Sequence, residues 1–580
     1  MRSTLPFLWM TFALTAHARA QTTQRVSVDS AGTQGNFTSQ GAPVISADGR
    51  YIAFDSEAWN LVPGDTNFAD DIFVHDLHTG ATTRVSVSSA GAQTDRTSND
   101  PALSSDGRFV AFDSSATNLV PNDTNGGADV FVHDRQSGQT TRVNVSSAGE
   151  QTNGGVRKPS ISADGRYVAF ASTSAQLVAG DTNGLSDVFV HDRETGATTR
   201  VSVATGGAQA SGEAPSLSAD GRHVAFESSS SSFGGTNIWR DVYVHDRETG
   251  RTTLVSRATW GGDANFPSES PAISADGRYV AFTSMASDLV VGDTNGLTDI
   301  FVRDLQKSKT TRVSVDSAGT QSDVSALTSH ISADGRYVAF SSFATNHVPG
   351  DTNAAADAFV HDRATGRTTR VSVASSGAQS LLGTSTASSL SADGRRVVFW
   401  SIASDLVPSD TNGTVDVFVH DRGPERITPF CFGDGSAAAC PCGNSGALRH
   451  GCASSIFARG GYLGGFGSAV VASDTLLLHA QEVSGTSTLF YQGDAQTAAT
   501  LLDDGIGCVG GGLVRLGLKA NASGTSSYPD AGDLSVSRKG LVGALGGTRY
   551  YQAWYRNVDP SFCTPATTNR TNGVIVAWGS

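Results

Sequence analysis

Cysteine is absent from the first 430 residues, methionine occurs only three times in 580, and lysine is scarce. Charged residues make up 17% of the chain, below the ~25% of an ordinary globular domain. Beyond a short N-terminal leader, no run reaches the ~18 apolar residues that a membrane-crossing helix needs, so no transmembrane segment is expected. A Gly-x-Ser-x-Gly nucleophile elbow, a His-Glu-x-x-His metal motif and a phosphate-binding nucleotide loop are all missing. No segment sustains a helical period. What remains is a chain with 65 glycines and 38% apolar residues, rich in Ser and Thr, suited to many short strands joined by turns.

Charge is unevenly spread. From Cys431 onward the chain carries 9 basic and 9 acidic residues, whereas residues 21–430 carry 30 basic and 46 acidic, a balance of −16. Such a surface repels phosphate backbones, so nucleic acid is excluded as a partner and anionic lipid is disfavoured. Cations, neutral glycans and basic protein patches stay open. The first 20 residues read as an export signal: Arg2, an apolar stretch from Leu5 to Ala16, and the small-x-small site Ala18-Arg19-Ala20. A secreted protein, extracellular or periplasmic, is expected.

A unit of about 58 residues recurs seven times. Its Asp-Gly signpost falls at Asp48, Asp106, Asp164, Asp220, Asp276, Asp334 and Asp393. Each unit holds four strand signals, in the third copy Ser160-Ile161, Tyr167-Val-Ala-Phe170, Asp187-Val-Phe-Val-His-Asp192 and Thr198-Thr-Arg-Val201. The strands are β-branched or aromatic and alternate in polarity; Asp-Gly joins the first pair and Thr-Gly or Ser-Gly the last. Four antiparallel strands repeated seven times predict a seven-bladed β-propeller over residues 21–429. There are eight fourth-strand signals for seven blades, from Arg25-Val-Ser-Val28 to Glu425-Arg-Ile-Thr428. The N-terminal strand near Thr23–Val28 is therefore expected to complete the last blade and close the ring.

Ser-Ala-Asp-Gly-Arg-Tyr-Val-Ala-Phe followed by Asp-Val-Phe-Val-His-Asp-Arg-x-Thr-Gly resembles the TolB-type propeller repeat. That repeat typically has Pro where Ala or Ser precedes Asp-Gly here. The resemblance spans residues 21 to about 429 and implies the scaffold, without the helical N-terminal domain of the TolB translocation protein.

Between the second and third strands stands Asp-Thr-Asn-Gly-x-x-Asp or a close variant. Its oxygen-bearing residues are Asp65, Asn67 and Asp71; Asp123, Asn125 and Asp129; Asp181, Asn183 and Asp187; Asp293, Asn295 and Asp299; Asp351, Asn353 and Asp357; and Asp410, Asn412 and Asp416. Carboxylates at alternate positions of a Gly-bearing loop make calcium a candidate cofactor. An Asx-type turn is the competing reading, and it is favoured because Pro, Ala or Val stands where the first acidic ligand belongs. Gly235 replaces the first Asp in the fourth blade. The recurring His-Asp pair (His133-Asp134, for instance) is read as packing, since adjacent strand residues face opposite ways.

The loops between second and third strands share a propeller face with the blade-to-blade connections, and this face holds most of the variation. Asp100, Arg157, Lys158, Glu213 and Glu269 precede the first strands and are expected to ring the channel mouth. Trp59, Trp239 and Trp260 are expected in loops of the same face. The favoured function is a secreted, non-catalytic, monomeric propeller binding a protein or glycan there. The alternative is a polysaccharide lyase or glycoside hydrolase using acidic residues at the mouth, such as Glu213 and Glu269.

The six cysteines, Cys431, Cys440, Cys442, Cys452, Cys508 and Cys563, all fall in residues 430–580. An even count in an exported chain predicts up to three disulfides, with the pairing open; their spacing lacks zinc knuckles. A small β-sandwich-like domain is expected. Cys431-Phe-Gly-Asp-Gly-Ser436, Cys440-Pro-Cys-Gly-Asn444 and Tyr551-Gln-Ala-Trp-Tyr-Arg556 resemble a cysteine-bearing module at the ends of other exported bacterial proteins. Alternation sets Tyr551 and Tyr555 opposite Trp554 in a strand, so core packing of these aromatics is expected rather than a glycan platform.

Overall fold

The computed structural model describes residues 21–580 apart from 234–238, 382, 424–426, 433, 435–438, 441–442, 447–449, 467–468, 470, 472–473, 475, 503–504, 523, 531, 545, 557–567 and 579–580. The export segment, Gly235, Cys442 and Cys563 lie outside the described residues. The chain is all-β and divides into two compact units, Ala20–Arg422 and Gly423–Ser580. No helix among the described residues is long and apolar enough to cross a membrane.

Six repeats each fold into one four-stranded antiparallel sheet in chain order, and the last borrows its fourth strand; the second sheet comprises Ser98–Leu103, Phe109–Ser114, Asp129–Asp134 and Gln139–Arg142. Seven such sheets occur among the described residues. In the middle strands both faces are buried, so Tyr-Val-Ala-Phe and Asp-Val-Phe-Val read as near-continuous apolar runs. Val132 and Val130 of one sheet pack on Val168 and Phe170 of the next, and this pattern passes from sheet to sheet. Ile52 and Phe54 of the first sheet pack on Val398 and Val417 of the last. The sheets thus close into a β-propeller, with the first strand of each sheet touching its neighbours around the axis.

Closure occurs as the strand count implied. Thr22–Arg25 pairs with Asp416–Asp421 as the outer strand of the last sheet, Thr23 opposite His420. The other terminal signal behaves differently. Ile427–Phe430 pairs with Gly573–Trp578 in the second unit, so the compact propeller unit ends at Arg422 instead of running to 429. The strand-like pattern was legible; the competing partner, more than a hundred residues downstream, was not.

The Asp-Gly turns have a second task besides reversing the chain. Gly107 sits at φ 69°, and a Cβ there would fall 2.4 Å from the Tyr51 ring of the preceding sheet. Glycine is needed both for the left-handed turn and for this close inter-sheet approach. Arg50 bridges the same end of the sheet, its Nε 2.9 Å from Asp76 Oδ1 and its Nη2 2.7 Å from Oδ2.

The second unit stacks two main sheets. One orders Ile427–Phe430, Gly573–Trp578, Gly547–Arg556, Ser487–Gly493 and Val514–Ala520; the other orders Tyr462–Phe466, Leu477–Gln481 and Thr525–Tyr528. Leu463, Leu478, Phe490, Tyr528, Tyr551, Tyr555 and Val576 form the core between them. Tyr551 and Tyr555 are fully buried while Trp554 is half-buried on the other side of its strand, as the alternation required. Disulfides join Cys431 to Cys508 and Cys440 to Cys452.

Candidate functional site

In each of the six Asp-Thr-Asn loops the two carboxylates share one arginine. An arginine from the outer strand of the same sheet reaches both carboxylates of each loop: Arg84 to Asp65 and Asp71, Arg142 to Asp123 and Asp129, Arg200 to Asp181 and Asp187, at 3.1–3.8 Å. Arg312 does the same for Asp293 and Asp299, Arg370 for Asp351 and Asp357, and Arg25 for Asp410 and Asp416. Asp357 also accepts from Ser372 Oγ at 2.6 Å, so both of its oxygens are engaged.

The loop asparagines are engaged as well. Each forms an Asx turn, its Oδ1 accepting from the backbone N–H two residues on: Asn67 from Ala69, Asn125 from Gly127, Asn183 from Leu185, Asn295 from Leu297, Asn353 from Ala355 and Asn412 from Thr414, at 2.9–3.3 Å. The Nδ2 groups of the same six residues donate to the second carboxylate of the loop, Asn67 to Asp71, Asn125 to Asp129, Asn183 to Asp187, Asn295 to Asp299, Asn353 to Asp357 and Asn412 to Asp416, at 2.9–3.3 Å.

The guanidinium therefore stands where a cation between the carboxylates would stand. In this arrangement Asn67, Asn125, Asn183, Asn295, Asn353 and Asn412 form turns, the reading favoured from the sequence, and the aspartates of the same loops, Asp357 among them, pair with arginine. Among the described residues no cluster of three or more His, Cys, Asp or Glu side chains is arranged to hold a metal ion. In the fourth sheet, where Gly235 interrupts the loop motif, the outer strand ends in Leu254 in place of Arg. That paired loss is a sequence signal for the ion pair.

Of the residues expected at the mouth, Asp100, Arg157, Lys158, Glu213 and Glu269 all lie on the innermost strands of four consecutive sheets. Asp100, Lys158, Ala214 and Ser270 adopt left-handed backbone, at φ 50°, 50°, 49° and 54°. Each precedes a proline (Pro101, Pro159, Pro215, Pro271), which has no N–H to give the ladder, and the strand bulges there. Left-handed backbone at a non-glycine residue costs on the order of 1–3 kcal/mol and tends to gather at functional sites. The four residues form an arc at the end of the sheets that carries the variable loops.

Behind the arc lies a set of carboxyls supplied by the last variable position of the second strand. Burial, reinforced by Asp70, Asp100 and Asp113, pushes Asp55 up to about 8. Burial and Asp100 push Asp113 up to about 7, and its Oδ1 is buried without a hydrogen-bond partner. Asp70 rises to about 6 through burial, Glu57 and Asp71. Asp100 is also raised by burial, with Lys158 and Arg157 pulling the other way. Protonated near neutral pH, Asp55 and Asp113 can donate hydrogen bonds or a proton. In the fourth sheet the equivalent position is filled by Glu227, which accepts from Ser270 N of the fifth sheet at 2.9 Å and pairs with Arg240 at 2.8 Å. Arg240 also approaches Glu269, at 3.7 Å.

Aromatic side chains flank this arc on the variable loops. Trp239 is 39% exposed and stacks on Phe266, centroids 5.8 Å apart and planes 19° from parallel. Phe37, Trp59 and Phe68 form a second group, with 4.8 and 6.0 Å between successive rings; Phe68 is 80% exposed. Sequence reasoning singled out Trp59 and Trp239 but missed their phenylalanine partners. It also missed Asp55, Asp113 and Glu227, although they occupy one repeat position, directly after Tyr-Val-Ala-Phe, that otherwise holds Ala171, Thr283, Ser341 and Trp400.

The His-Asp pairs are structural. His133 Nδ1 meets Thr140 Oγ1 at 2.9 Å while Asp134 takes Arg108 in a two-point pair on the other side of the strand.

No family model and no curated protein sequence matches the chain. Among solved structures, TolB from Acinetobacter baumannii is similar at 15% identity over 68% of this chain and 82% of that one, TM-score 0.30. Hydrazine synthase of Kuenenia stuttgartiensis is similar at 16% identity, covering 65% and 94%, TM-score 0.36. A prolyl endopeptidase is similar at 12% identity, covering 77% and 55%, TM-score 0.40. The four-stranded sheets of the repeat segment make it a β-propeller.

Proposed function

We propose that the protein is a secreted, non-catalytic propeller that binds a protein or glycan on the variable face, at the mouth ringed by Asp100, Arg157, Lys158, Glu213 and Glu269. The observation that carries this reading is the run of four left-handed, non-glycine residues on consecutive inner strands, a conformation that tends to gather at functional sites. Support comes from the exposed stacks Trp239–Phe266 and Phe37–Trp59–Phe68 beside rim charges of both signs. Flat aromatic faces with nearby hydrogen-bonding groups suit sugar rings and peptide side chains alike. The cysteine-rich second unit, with its disulfides, fits an oxidising compartment outside the cytosol.

The raised carboxyls Asp55 and Asp113 favour a second reading, a glycan-cleaving enzyme at the same mouth. One experiment separates the two. The full chain is screened against cell-envelope and polysaccharide fractions for both retention and release of new reducing ends or unsaturated products. Retention lost in Trp239→Ala and Arg157→Glu, with no product formed, supports binding alone. Turnover abolished by Asp55→Asn, or by Glu213→Gln with Glu269→Gln, establishes the enzyme.

A further inference from the structure

The junction between the fourth and fifth sheets breaks a lock that the other six keep. At those six, an outer-strand threonine donates from Oγ1 to a valine carbonyl of the preceding turn, as Thr140 does to Val87 and Thr198 to Val145 at 2.5 and 2.6 Å. The same threonine meets a histidine Nδ1 at 2.9 Å, and a Ser or Thr hydroxyl of the turn clasps its N–H, as Ser89 does for Thr140. At the seventh junction Arg257 stands in the valine place and Arg303 in the histidine place. Thr310 instead receives a bond from Arg303 Nη1 at 3.1 Å. No Thr–carbonyl bond closes this junction among the described residues.

A cavity of about 510 Å³ opens there, lined by Arg257, Arg303, Lys309, Trp260, Leu289 and Val291 among others. Its basic character stands out in a chain of net charge −14 with only five lysines, two of which, Lys307 and Lys309, lie in this one hairpin. Asp304, the neighbouring acid, is held by Arg278 at 2.8–3.0 Å, and Asp288 accepts from Trp260 Nε1 at 3.2 Å. Asp263 stands across the turn from Arg257 as its backbone bridge partner, and among the described residues no ion pair is formed by Arg257, Arg303 or Lys309. Arg257 is braced by one bond, Nε to Gly261 O at 2.7 Å. Trp260 is 69% exposed, and its ring lies where a Cβ on Gly262 would fall within 2 Å, so glycine there makes room for it.

We infer that this cavity is a binding site for a saccharide bearing an acidic group, a carboxylate or a sulfate ester. The site is distinct from the variable-face mouth. Two guanidinium groups and an ammonium supply charge-assisted donors for the acid oxygens, and the indole supplies a flat apolar face for the sugar ring. The volume suits a small ligand. The acidic surroundings disfavour long polyanions, so a short or chain-terminal acidic sugar is the fitting form.

The test uses the full chain and Trp emission or calorimetry, with a galacturonate trisaccharide, a sulfated disaccharide and their neutral counterparts as probes. Either acidic probe should bind, the tighter one identifying the acidic group, with affinity falling as salt rises; the neutral sugars should bind at least about tenfold more weakly. Arg257→Val with Arg303→His restores the pattern of the other six junctions and so should fold. It should weaken acidic-sugar binding about tenfold or more. Trp260→Ala should weaken the saccharides more than inorganic sulfate. Absence of binding by both acidic probes, equal binding of neutral sugars, or unchanged affinity in the double variant would overturn the inference.

Discussion

Replacing Asp55 by Asn removes a carboxyl that the fold keeps protonated, while preserving its shape. The folded chain holds the Asp55 proton up to about pH 8, whereas an unfolded chain gives it up near 3.8. Stability from this group is therefore greatest below about pH 4 and declines as pH rises toward 8. At 1.36 kcal/mol per pKa unit, the decline between pH 5 and pH 8 is at most about 4 kcal/mol. Sharing of protons with Asp113 and Asp100 spreads it over a wider pH range. Asn has no such decline. Thermal or urea melts of wild type and Asp55→Asn at pH 5, 6.5, 8 and 9 should show the variant gaining steadily, by about 2–4 kcal/mol across the series. A difference that does not change with pH would refute the account, because a packing defect would cost the same at every pH.

Calcium and chelator should leave the melting temperature of the wild-type protein unchanged, since Arg142 and its counterparts already pair the loop carboxylates. Arg142→Ala should lose about 3–5 kcal/mol by leaving Asp123 and Asp129 without their partner, and calcium should restore part of that loss; calorimetry with and without calcium checks both. Val26→Ala, just past the closing strand, should cost about 2–3 kcal/mol of propeller stability, read in a urea melt, because Val26 is fully buried between the first and last sheets. Paired Cys431→Ser and Cys508→Ser changes should destabilise the second unit by about 3–5 kcal/mol, since the bond closes a 77-residue separation; the propeller transition should not move.

Repetition made the fold legible. A strand pattern recurring seven times leaves little freedom in topology, and the surplus outer-strand signal pointed to closure by Thr22–Arg25. Periodicity put Asp100, Arg157, Lys158, Glu213 and Glu269 just before the first strands; the strands begin earlier, so these residues lie on them, carried past the proline bulge. The calcium candidates show the limit. Asp123, Asn125 and Asp129 were visible as a local group, but their partner Arg142 stands 13 residues past Asp129, across a hairpin. The raised carboxyls were hidden for a similar reason. Asp55 and Asp113 look like ordinary strand-end residues; strand pairing sets Asp113 near Asp100 and Asp55 near Asp70, and the ring adds Asp100 and Asp113 to the surroundings of Asp55.

Ring closure also imposes an order of assembly. Thr23 leaves the ribosome long before His420, its hydrogen-bond partner 397 positions later. Until that segment is made, the opening strand has no docking place and the growing array keeps two raw edges. Loop-closure entropy grows only slowly with length, so the delay costs little at equilibrium. Its burden is kinetic: the most distant contact is made last, and every incomplete chain exposes strand edges that invite pairing with other copies. A chain cut anywhere before Asp416 is therefore expected to aggregate rather than to persist as a smaller propeller.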